Sequence, residues 1–269
     1  KARYILIAGP SSSGKTTTTK KIALQLRSRG QEVLVMSVDN YFKDLVDSPR
    51  DEEGNYDFEC LEALDLKLLN KQLKELLSGK KVTIPEYDFV AGKKKYDHDP
   101  VKLGENAIIL MEGLHSINDA MTPDLDPTLK YKVYLSPFIS LNVDRHNYVS
   151  STDLRLMRRI VRDNRMRATD VGQTITYWNT VRAGEEKHIY PFINDIDKII
   201  NTSLAYEVGV LKVFVEPLLY SVTEESLAYT EARRIIEALN EFYPIPSDYV
   251  PDDSILREFI GKSIFESYK

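Results

Sequence analysis

Short apolar runs alternate along the chain with amphipathic stretches that have helical spacing. The apolar runs, which we predict to be strands, lie at residues 4–8, 32–37, 107–111, 131–135, 198–200 and 212–215. The helical stretches lie at residues 15–29, 61–77, 153–164 and 224–242. Buried parallel strands are short and apolar, and helices usually connect them. The pattern therefore predicts an α/β fold in three layers, with a mostly parallel sheet between helices.

A glycine-rich segment, Gly9-Pro10-Ser11-Ser12-Ser13-Gly14-Lys15-Thr16, lies between the first predicted strand and the first predicted helix. Its spacing is that of the Walker A phosphate loop, which makes the predicted fold that of a P-loop NTPase. Glycines let such a loop wrap around phosphates, so that backbone N–H groups point at the anion. We expect Lys15 to contact the β- and γ-phosphates of ATP, and the Thr16 hydroxyl to ligate Mg²⁺. The residues expected to bind the nucleotide are Gly9, Ser11, Ser12, Ser13, Gly14, Lys15, Thr16 and Thr17.

The composition excludes several other classes of function. Apolar residues make up 42 % of the chain and charged residues 29 %, an ordinary globular balance. The formal net charge of −5 gives no general attraction to nucleic acid or anionic lipid, and no apolar run approaches the length of a membrane span. A single cysteine, Cys60, excludes an internal disulfide and fits a reducing compartment. We therefore expect a cytoplasmic protein without nucleic-acid or membrane partners.

Two acidic residues follow predicted strands, Asp39 after the second and Glu112 after the third. Ligands of open α/β sheets bind beyond the carboxyl ends of the strands, so both carboxylates lie on the expected ligand side. One is expected to reach Mg²⁺, directly or through water, and the other to take a proton from the phosphate acceptor. Helix caps and solvated loop acids are the structural alternative, and the nearby phosphate loop favours the functional one.

An arginine-rich stretch has helical spacing, with Arg155, Arg158, Arg159 and Arg162 on one face and Arg165 and Arg167 close behind. A solvated basic face is one interpretation. Nucleic-acid contact is a second, but the acidic net charge and the lack of interleaved aromatic residues argue against it. A third is a lid that closes over ATP and offers guanidinium groups to the transferred phosphoryl group. With the phosphate loop present, the lid is preferred.

Two regions depart from the alternation of strands and helices. Residues 82–102 contain β-branched residues, Gly92 and a lysine run, which predicts a hairpin. Residues 254–260 are predicted to form a short helix packed on the body or on a neighbour.

We expect a kinase domain at residues 1–220, with a lid at about 153–183 and a hairpin at about 81–103, and a C-terminal helical extension at 221–269. Because the chain begins without methionine, we expect it to come from a longer protein, and a homo-oligomer is also possible.

Several segments together resemble the uridine kinase branch of the uridine kinase and phosphoribulokinase family. They are Val38-Asp39-Asn40-Tyr41-Phe42, Asn55-Tyr56-Asp57, Ile84-Pro85-Glu86-Tyr87-Asp88-Phe89, Glu112-Gly113-Leu114 and Arg155-Leu156-Met157-Arg158-Arg159-Ile160-Val161-Arg162-Asp163. The resemblance runs in order from about residue 4 to about residue 200 and implies a nucleoside monophosphate kinase-like fold with a mobile lid and a substrate-covering hairpin. It implies that Asp39 is the catalytic base and that Glu112 is the glutamate of the metal site.

The resemblance also implies roles on the acceptor side and at the lid. Asp57 matches a carboxylate that binds ribose, and the aromatic rings of Tyr87 and Phe89 match a nucleoside site. The other residues that it implies are Arg155 and Gln173 for substrate binding, and Arg158, Arg162 and Arg167 as lid arginines. A carboxylate can accept hydrogen bonds from both ribose hydroxyls, and flat rings can hold a base, although aromatic residues in a hairpin often only pack.

The chain departs from the family pattern where a nucleobase would be recognised. Gly92 stands where the family usually has a base-contacting histidine, Phe42 stands where a tyrosine is expected, and Ala168-Thr169 replaces a glycine-arginine pair. Gly92 offers no polar side chain, and we expect it to leave space of about the size of an imidazole. His115 follows a segment similar to phosphoribulokinase and is a candidate substrate contact, with a structural role as the alternative.

The sequence thus predicts a kinase that uses ATP and Mg²⁺ to phosphorylate a small molecule at a primary hydroxyl group, the 5′-hydroxyl of a nucleoside being favoured. Two alternatives stay open. One is a kinase of a non-nucleoside sugar or sugar phosphate. The other is a nucleotide-sensing module, in which ATP binding moves the lid and signals to another domain.

Overall fold

The computed structural model describes residues 2–50, 54, 56–139 and 148–266. Asn55, which contributes to the family resemblance, lies outside them. The strands in the described part of the chain are β1 (Tyr4–Ala8), β2 (Val33–Ser37), β3 (Glu86–Asp88), β4 (Lys93–Lys95), β5 (Ile108–Glu112), β6 (Lys130–Ser136) and β7 (Lys198–Asn201). The α-helices there are α1 (Lys15–Arg27), α2 (Leu66–Leu77), α3 (Ser151–Arg167), α4 (Val171–His188), α5 (Glu207–Tyr220), α6 (Tyr229–Leu239) and α7 (Arg257–Ile260).

Five of the strands form one sheet, in the order β2-β5-β1-β6-β7. Strand β1 pairs in parallel with both β5 and β6, and β2 pairs in parallel with β5. The backbone N–H groups of Asp197 and Thr202 donate to the carbonyls of Lys132 and Ser136, so β7 also runs parallel to β6. The predicted α/β class with a mostly parallel sheet is confirmed. The central strand, β1, leads directly into the glycine-rich loop.

The chain divides into two compact units, the first of which comprises Lys1–Gly9, Thr19–Tyr134 and Gly184–Ile199. Alternate strand residues on one face of its sheet, such as Leu6 and Met111, pack against an apolar stripe of α2. This stripe consists of Leu69, Leu73 and Leu76, at the spacing that gives a helix one apolar face. Helix α2 begins where the Asp65 carboxylate accepts a hydrogen bond from the Leu68 N–H at 3.0 Å.

The second unit comprises Pro10–Thr18, Leu135–Ala183 and Ile200–Lys269. Its core is formed by helices α3, α4, α5, α6 and α7, with fully buried residues such as Leu154, Leu211 and Phe259. Helix α3 begins where the Ser150 hydroxyl accepts a hydrogen bond from the Asp153 N–H at 3.0 Å, and it ends at Ala168 in a left-handed conformation. The phosphate loop therefore shares this unit with the arginine-rich helix.

Most predicted elements are confirmed, with shifts of one to three residues at many ends. The predicted hairpin is present: β3 and β4 are antiparallel, and a bridge between Val82 and Val101 closes its base. The predicted helix at 61–77 begins as a separate 3₁₀ turn, Leu61–Ala63. The predicted C-terminal helix is observed as the short helix α7.

One predicted strand is wrong, and two helices, α4 and α5, were not predicted. Residues 212–215 lie inside helix α5. Their β-branched residues favoured a strand, but the buried residues Val208, Leu211, Val215 and Leu219 recur at helical spacing, and burial of that face decides the structure. Helix α4 is rich in threonine and polar residues, which hides its apolar positions in the sequence.

None of the described helices combines the length and the hydropathy that a membrane span requires.

Candidate functional site

The phosphate loop contains two residues in the left-handed backbone region, Ser12 with φ of 59° and Gly14 with φ of 86°. Glycine adopts this region freely, but a residue with a side chain does so at a cost, so Ser12 is held there by its surroundings. Alternation of right- and left-handed residues turns successive N–H groups to one side of the chain, which creates a concave anion site. The two left-handed residues on either side of Ser13 give this loop the alternation that such anion sites have.

Side chains of the same unit hold the carbonyl groups of the loop. Arg155 Nη1 donates to the Ser11 carbonyl at 3.2 Å, Arg158 Nη1 donates to the Ser12 carbonyl at 3.2 Å, and Thr202 Oγ1 donates to the Ser13 carbonyl at 2.6 Å. In a trans peptide the carbonyl and the following N–H point in opposite directions. Three anchored carbonyls therefore turn the N–H groups of the next residues away from these donors, and the N–H of Ser13 donates within the loop to the Pro10 carbonyl at 3.2 Å.

Several polar groups of the loop fit a triphosphate. The hydroxyls of Ser12, Ser13 and Thr18 are buried and have no hydrogen-bond partner among the described residues. Such groups cost about 1–3 kcal/mol each when they stay unsatisfied, so a ligand with many acceptor oxygens suits the site. The Lys15 ammonium donates to the Pro10 carbonyl at 3.1 Å, and Thr16 is exposed. These residues can hold ATP, with Thr16 as a ligand for Mg²⁺.

Arg158 lies at the centre of a buried network. It is fully buried, and its Nη2 lies 2.6 Å from Oε2 of Glu207, a residue that is only 1 % exposed. Arg158 also donates to the Thr202 carbonyl at 2.8 Å. Burial raises the pKa of Glu207, while the adjacent guanidinium opposes that rise. The structure therefore places Arg158 behind the loop backbone, where it supports the loop, instead of on an open face of α3.

The other arginines of α3 lie in different surroundings. Arg159 donates to the Ser11 hydroxyl at 2.8 Å, so it too contacts the loop. The Asp163 carboxylate forms ion pairs with Arg159 at 3.2 Å, Arg162 at 2.8 Å and Arg167 at 3.6 Å. One carboxylate thus gathers Arg159 and two of the predicted lid arginines, Arg162 and Arg167. The interpretation of α3 as a uniformly solvated basic face does not fit this arrangement.

A cavity of about 730 Å³ lies within the second unit, between α3 and α4. Arg159, Arg167 and Gln173 line it, whereas Arg155, Arg158 and Arg162 do not. The volume is within the range of small-molecule sites, about 300–1,000 Å³. The structure thus brings Gln173 together with part of the arginine set at a cavity, and places the buried Arg155 and Arg158 at the loop.

The two predicted acids lie in the first unit at the ends of neighbouring strands. Glu112 ends β5, is 6 % exposed, and accepts a hydrogen bond from the Ser37 hydroxyl at 2.8 Å. Ser37 ends β2 and is directly paired with Glu112, and Asp39 follows it in the 3₁₀ turn Val38–Tyr41. Among the described residues, no group of three or more acids, histidines or cysteines could hold a metal.

Aromatic residues cluster around Phe42 in the same unit. Its ring centroid lies 5.7 Å from that of Tyr87, 6.3 Å from that of Phe89 and 5.9 Å from that of Phe58, all in edge-on geometry. Tyr87 is buried, whereas Phe89 is about half exposed. The Asp57 carboxylate accepts the N–H of Glu59 at 3.0 Å. The structure therefore groups Tyr87 and Phe89 with Phe42 and Phe58.

The expected space at Gly92 is absent, which corrects that prediction. Gly92 has a φ of 64°, and a Cβ built on it would lie 2.9 Å from the Cβ of Leu45. The Leu45 N–H also donates to the Gly92 carbonyl at 2.8 Å. An apolar side chain therefore occupies the position beyond Gly92. The sequence could not show this, because Leu45 belongs to a different segment.

His115 lies in a buried pair of histidines. It is 3 % exposed, and the centroid of its ring lies 5.4 Å from that of His188. Burial, together with His188, lowers the pKa of His115 to about 4. Burial also lowers the pKa of His188, which is more accessible. The packed environment favours the structural role for His115.

Three residues that sequence reasoning missed contact the phosphate loop or its supporting arginine. They are Thr202, Glu207 and Glu258, which follow the arginine-rich segment by 35 residues or more. None belongs to a motif. Their position beside a loop near the start of the chain depends on the packing of α3, α5 and α7.

A family model and two known relatives indicate one family. Residues 4–208 match the model of the phosphoribulokinase/uridine kinase family. A uridine kinase of Halobacterium salinarum is 30 % identical over 196 residues, which cover 72 % of this chain and 77 % of that protein. A uridine kinase of Ligilactobacillus salivarius is 30 % identical over 195 residues, 72 % of this chain and 82 % of that protein. A solved structure of a possible uridine kinase from Bacillus stearothermophilus is 21 % identical, with a TM-score of 0.47, over 74 % of this chain and 89 % of that one.

Proposed function

The chain belongs to the phosphoribulokinase/uridine kinase family, and on this basis we propose that it is an ATP- and Mg²⁺-dependent kinase. In this proposal it transfers the γ-phosphate to a primary hydroxyl group, the 5′-hydroxyl of a nucleoside. One observation carries most weight: three consecutive loop carbonyls, those of Ser11, Ser12 and Ser13, are anchored by Arg155, Arg158 and Thr202. A loop fixed in this way is organised to bind phosphates before they arrive.

The nucleotide would be held by the residues from Gly9 to Thr17. Backbone N–H groups and the buried hydroxyls of Ser12 and Ser13 would bind phosphate oxygens. Lys15 would exchange its bond to the Pro10 carbonyl for a bond to the β- and γ-phosphates. Bound Mg²⁺ would neutralise charge on these phosphates. Thr16 would ligate the metal, with Glu112 or Asp39.

Asp39 is the proposed general base, and Glu112 the proposed metal carboxylate. Glu112 is buried and oriented by the Ser37 hydroxyl, as suits a fixed ligand. Asp39 lies in a short turn and is partly exposed, as suits a group that must reach an acceptor. The acceptor hydroxyl would lose its proton to an Asp39 carboxylate oxygen as its own oxygen bonds to the γ-phosphorus. The bond between that phosphorus and the β–γ bridging oxygen would break in the same step, with ADP as the leaving group.

The arginines divide into two proposed roles. Arg158 and Arg155 keep the loop in its phosphate-binding form through its carbonyls. Arg162 and Arg167, which pair with Asp163, would offer guanidinium groups to the transferred phosphoryl group. Catalytic use of Arg158 itself would require it to leave Glu207.

On the acceptor side, Asp57 would bind ribose hydroxyls, and Tyr87 and Phe89 would contact the base. Gln173 and Arg155 are further proposed substrate residues. Leu45 fills the position beyond Gly92 and Phe42 lacks a hydroxyl, so neither of these two positions offers a side-chain polar group to the edge of a base. We therefore expect weak discrimination between nucleobases.

The protein would act as a small-molecule kinase in the cytoplasm, and self-association or a further domain is compatible with this proposal.

A kinase of a non-nucleoside sugar is the second candidate. The same apolar surroundings of Phe42, Leu45 and Phe89 favour it, because they do not require a base. In either case Asp57 would recognise adjacent hydroxyls.

The test is a panel of acceptors that contains the common nucleosides, their 2′-deoxy forms, and simple sugars and sugar phosphates. ADP release and the mass of the product are measured, with the Lys15→Ala variant as control. We expect acceptor-dependent ADP release that the variant lacks, because it has lost the lysine expected at the β- and γ-phosphates. If ATP is hydrolysed slowly and equally with every acceptor, the kinase proposal fails and the sensor alternative gains support.

A further inference from the structure

A segment near the C-terminus, residues 254–266, contacts the start of helix α1 and the phosphate loop. Glu258 Oε2 accepts a hydrogen bond from the backbone N–H of Thr17 at 3.0 Å. Ile255 packs closely against Gly14, since a Cβ built on Gly14 would lie 2.6 Å from the Ile255 Cγ2 atom. The match to the family ends at residue 208, so this segment lies outside the part of the chain that carries the family pattern.

The Thr17 N–H is an anion-binding group by its position. Thr17 is the third residue of α1, and the first N–H groups of a helix have no acceptor within the helix. They also carry the positive end of the helix dipole, which attracts phosphates and carboxylates alike. The next N–H, that of Thr18, already donates to the Gly14 carbonyl at 3.1 Å. The Glu258 carboxylate thus accepts a hydrogen bond from an N–H group that a nucleotide phosphate would also use.

The backbone around Glu258 is firmly held. Leu256 and Phe259 are fully buried in the core of the second unit. Arg165 of α3 donates to the carbonyls of Glu258 at 3.3 Å and of Phe259 at 3.2 Å. The Glu258 side chain is only partly buried, so it can rotate away while the backbone of α7 stays in place.

We propose that Glu258 is an internal competitor of the nucleotide, whose carboxylate must leave the Thr17 N–H when phosphate binds. This inference rests on the proposed binding of ATP at the loop. The two anions repel each other and share one donor, so part of the binding energy of the phosphate is spent on displacing the carboxylate. A change that moves α7 would therefore alter nucleotide affinity without altering the loop sequence.

The experiment compares the wild type with Glu258→Gln and Glu258→Ala. Calorimetry measures the affinity of each for ATP, ADP and inorganic tripolyphosphate. Glutamine keeps an acceptor oxygen for Thr17 but removes the charge, and alanine removes both. Glu266→Gln is the matched control, because Glu266 belongs to the same segment and pairs with Arg165 at 3.2 Å, away from the Thr17 N–H.

We expect both Glu258 variants to bind ATP and ADP about tenfold more tightly, the difference between a charged and a neutral hydrogen bond. Tripolyphosphate should show the same gain because the competition concerns phosphate alone, and Glu266→Gln should match the wild type. Unchanged or weaker binding by Glu258→Gln and Glu258→Ala, with ATP bound normally by the wild type, would overturn the inference and leave the proposed function standing. If neither the wild type nor any variant binds ATP, the proposed function fails and the inference fails with it.

Discussion

Ser12 shows what the motif predicts and what it leaves out. The spacing of Gly9, Gly14, Lys15 and Thr16 predicted a phosphate loop between a strand and a helix, and the structure has that loop in that place. The positive φ of Ser12 could not be predicted, because nothing in a serine residue favours it. The conformation of Ser12 depends on hydrogen-bond donors that lie far along the chain, above all Arg158, which donates to the Ser12 carbonyl. Local chemistry thus specified the loop, and tertiary contacts specify its shape.

The first residue-scale prediction concerns Asp39. Asp39→Asn should lower kcat by about 10²–10⁴, the usual range for loss of a positioned general base, since an amide cannot take the acceptor's proton. The affinity for ATP should change little. Steady-state kinetics with the best acceptor and calorimetry with ATP check both parts. If ATP·Mg²⁺ binding collapses instead while the residual chemistry is normal, Asp39 is a metal ligand and Glu112 becomes the candidate base.

The second residue-scale prediction concerns Glu207. We expect this residue to position the phosphate loop through its ion pair with Arg158. Glu207→Gln keeps the shape but leaves the buried guanidinium without its counter-charge, and breaking such a pair commonly costs about 3–5 kcal/mol. We expect a lower Tm and a higher KM for ATP, with a smaller change in kcat. The double variant Glu207→Gln with Arg158→Met removes both charges and should recover much of the stability but not the ATP affinity. Recovery of both would show that the pair has no role in the phosphate loop.

At the scale of elements, prediction from sequence succeeded where burial and local preference agree. Strand β1 and helix α2 have apolar patterns that match their periods, and both lie close to the predicted positions. It failed at residues 212–215, where β-branched residues favour a strand but packing in the core of the second unit requires a helix. Helix α4 was not predicted, because its polar residues obscure the apolar pattern of the buried residues Val171, Ile175 and Trp178.

The hairpin offers a prediction at this scale. Gly92→Ala should destabilise the turn, because alanine tolerates positive φ poorly and its Cβ would meet Leu45 at 2.9 Å. Gly79→Ala is a matched control, with a similar φ of 74° and no atom within 4 Å of the added Cβ. We expect both variants to lose about 1–2 kcal/mol of stability from backbone strain. Only Gly92→Ala should also raise the KM for the acceptor, since β3 carries Tyr87 into the aromatic cluster. Equal KM values for the acceptor in the two variants would show that the turn at Gly92 does not contribute to acceptor binding.

For the whole molecule, the candidate site was only partly predictable. The sequence yields predictions of the residues that surround phosphate and acceptor, because each of them lies at the end of a strand or within a motif. It could not predict that residues beyond 200 contact the phosphate loop, its supporting arginine and the Thr17 N–H, because such contacts arise only when α5 and α7 pack against α3. The part of the chain after residue 208 therefore adds to the site features that the family pattern does not contain.

The buried histidine pair gives a prediction about the stability of the whole protein. Burial and the neighbouring His188 lower the pKa of His115 from 6.5 to about 4, so the folded state resists protonation there. Between pH 6.5 and about 4 the unfolded chain binds this proton more readily, and stability therefore falls as the pH is lowered through that window. At pH 5 the loss from this residue should be about 2 kcal/mol relative to pH 7.

Urea unfolding at pH 7 and pH 5 measures this loss as a difference in unfolding free energy. His115→Gln should reduce the pH-dependent difference by most of that amount, whatever it does to stability at pH 7. His188→Gln should reduce it partly, because it removes one neighbour that opposes the charge while burial, the larger cause, remains. His98→Gln is the control, since His98 is exposed and pairs with Glu86. If His115→Gln retains the full difference between pH 7 and pH 5, other groups cause the acid sensitivity, and His115 is protonated as readily in the folded protein as in the unfolded chain.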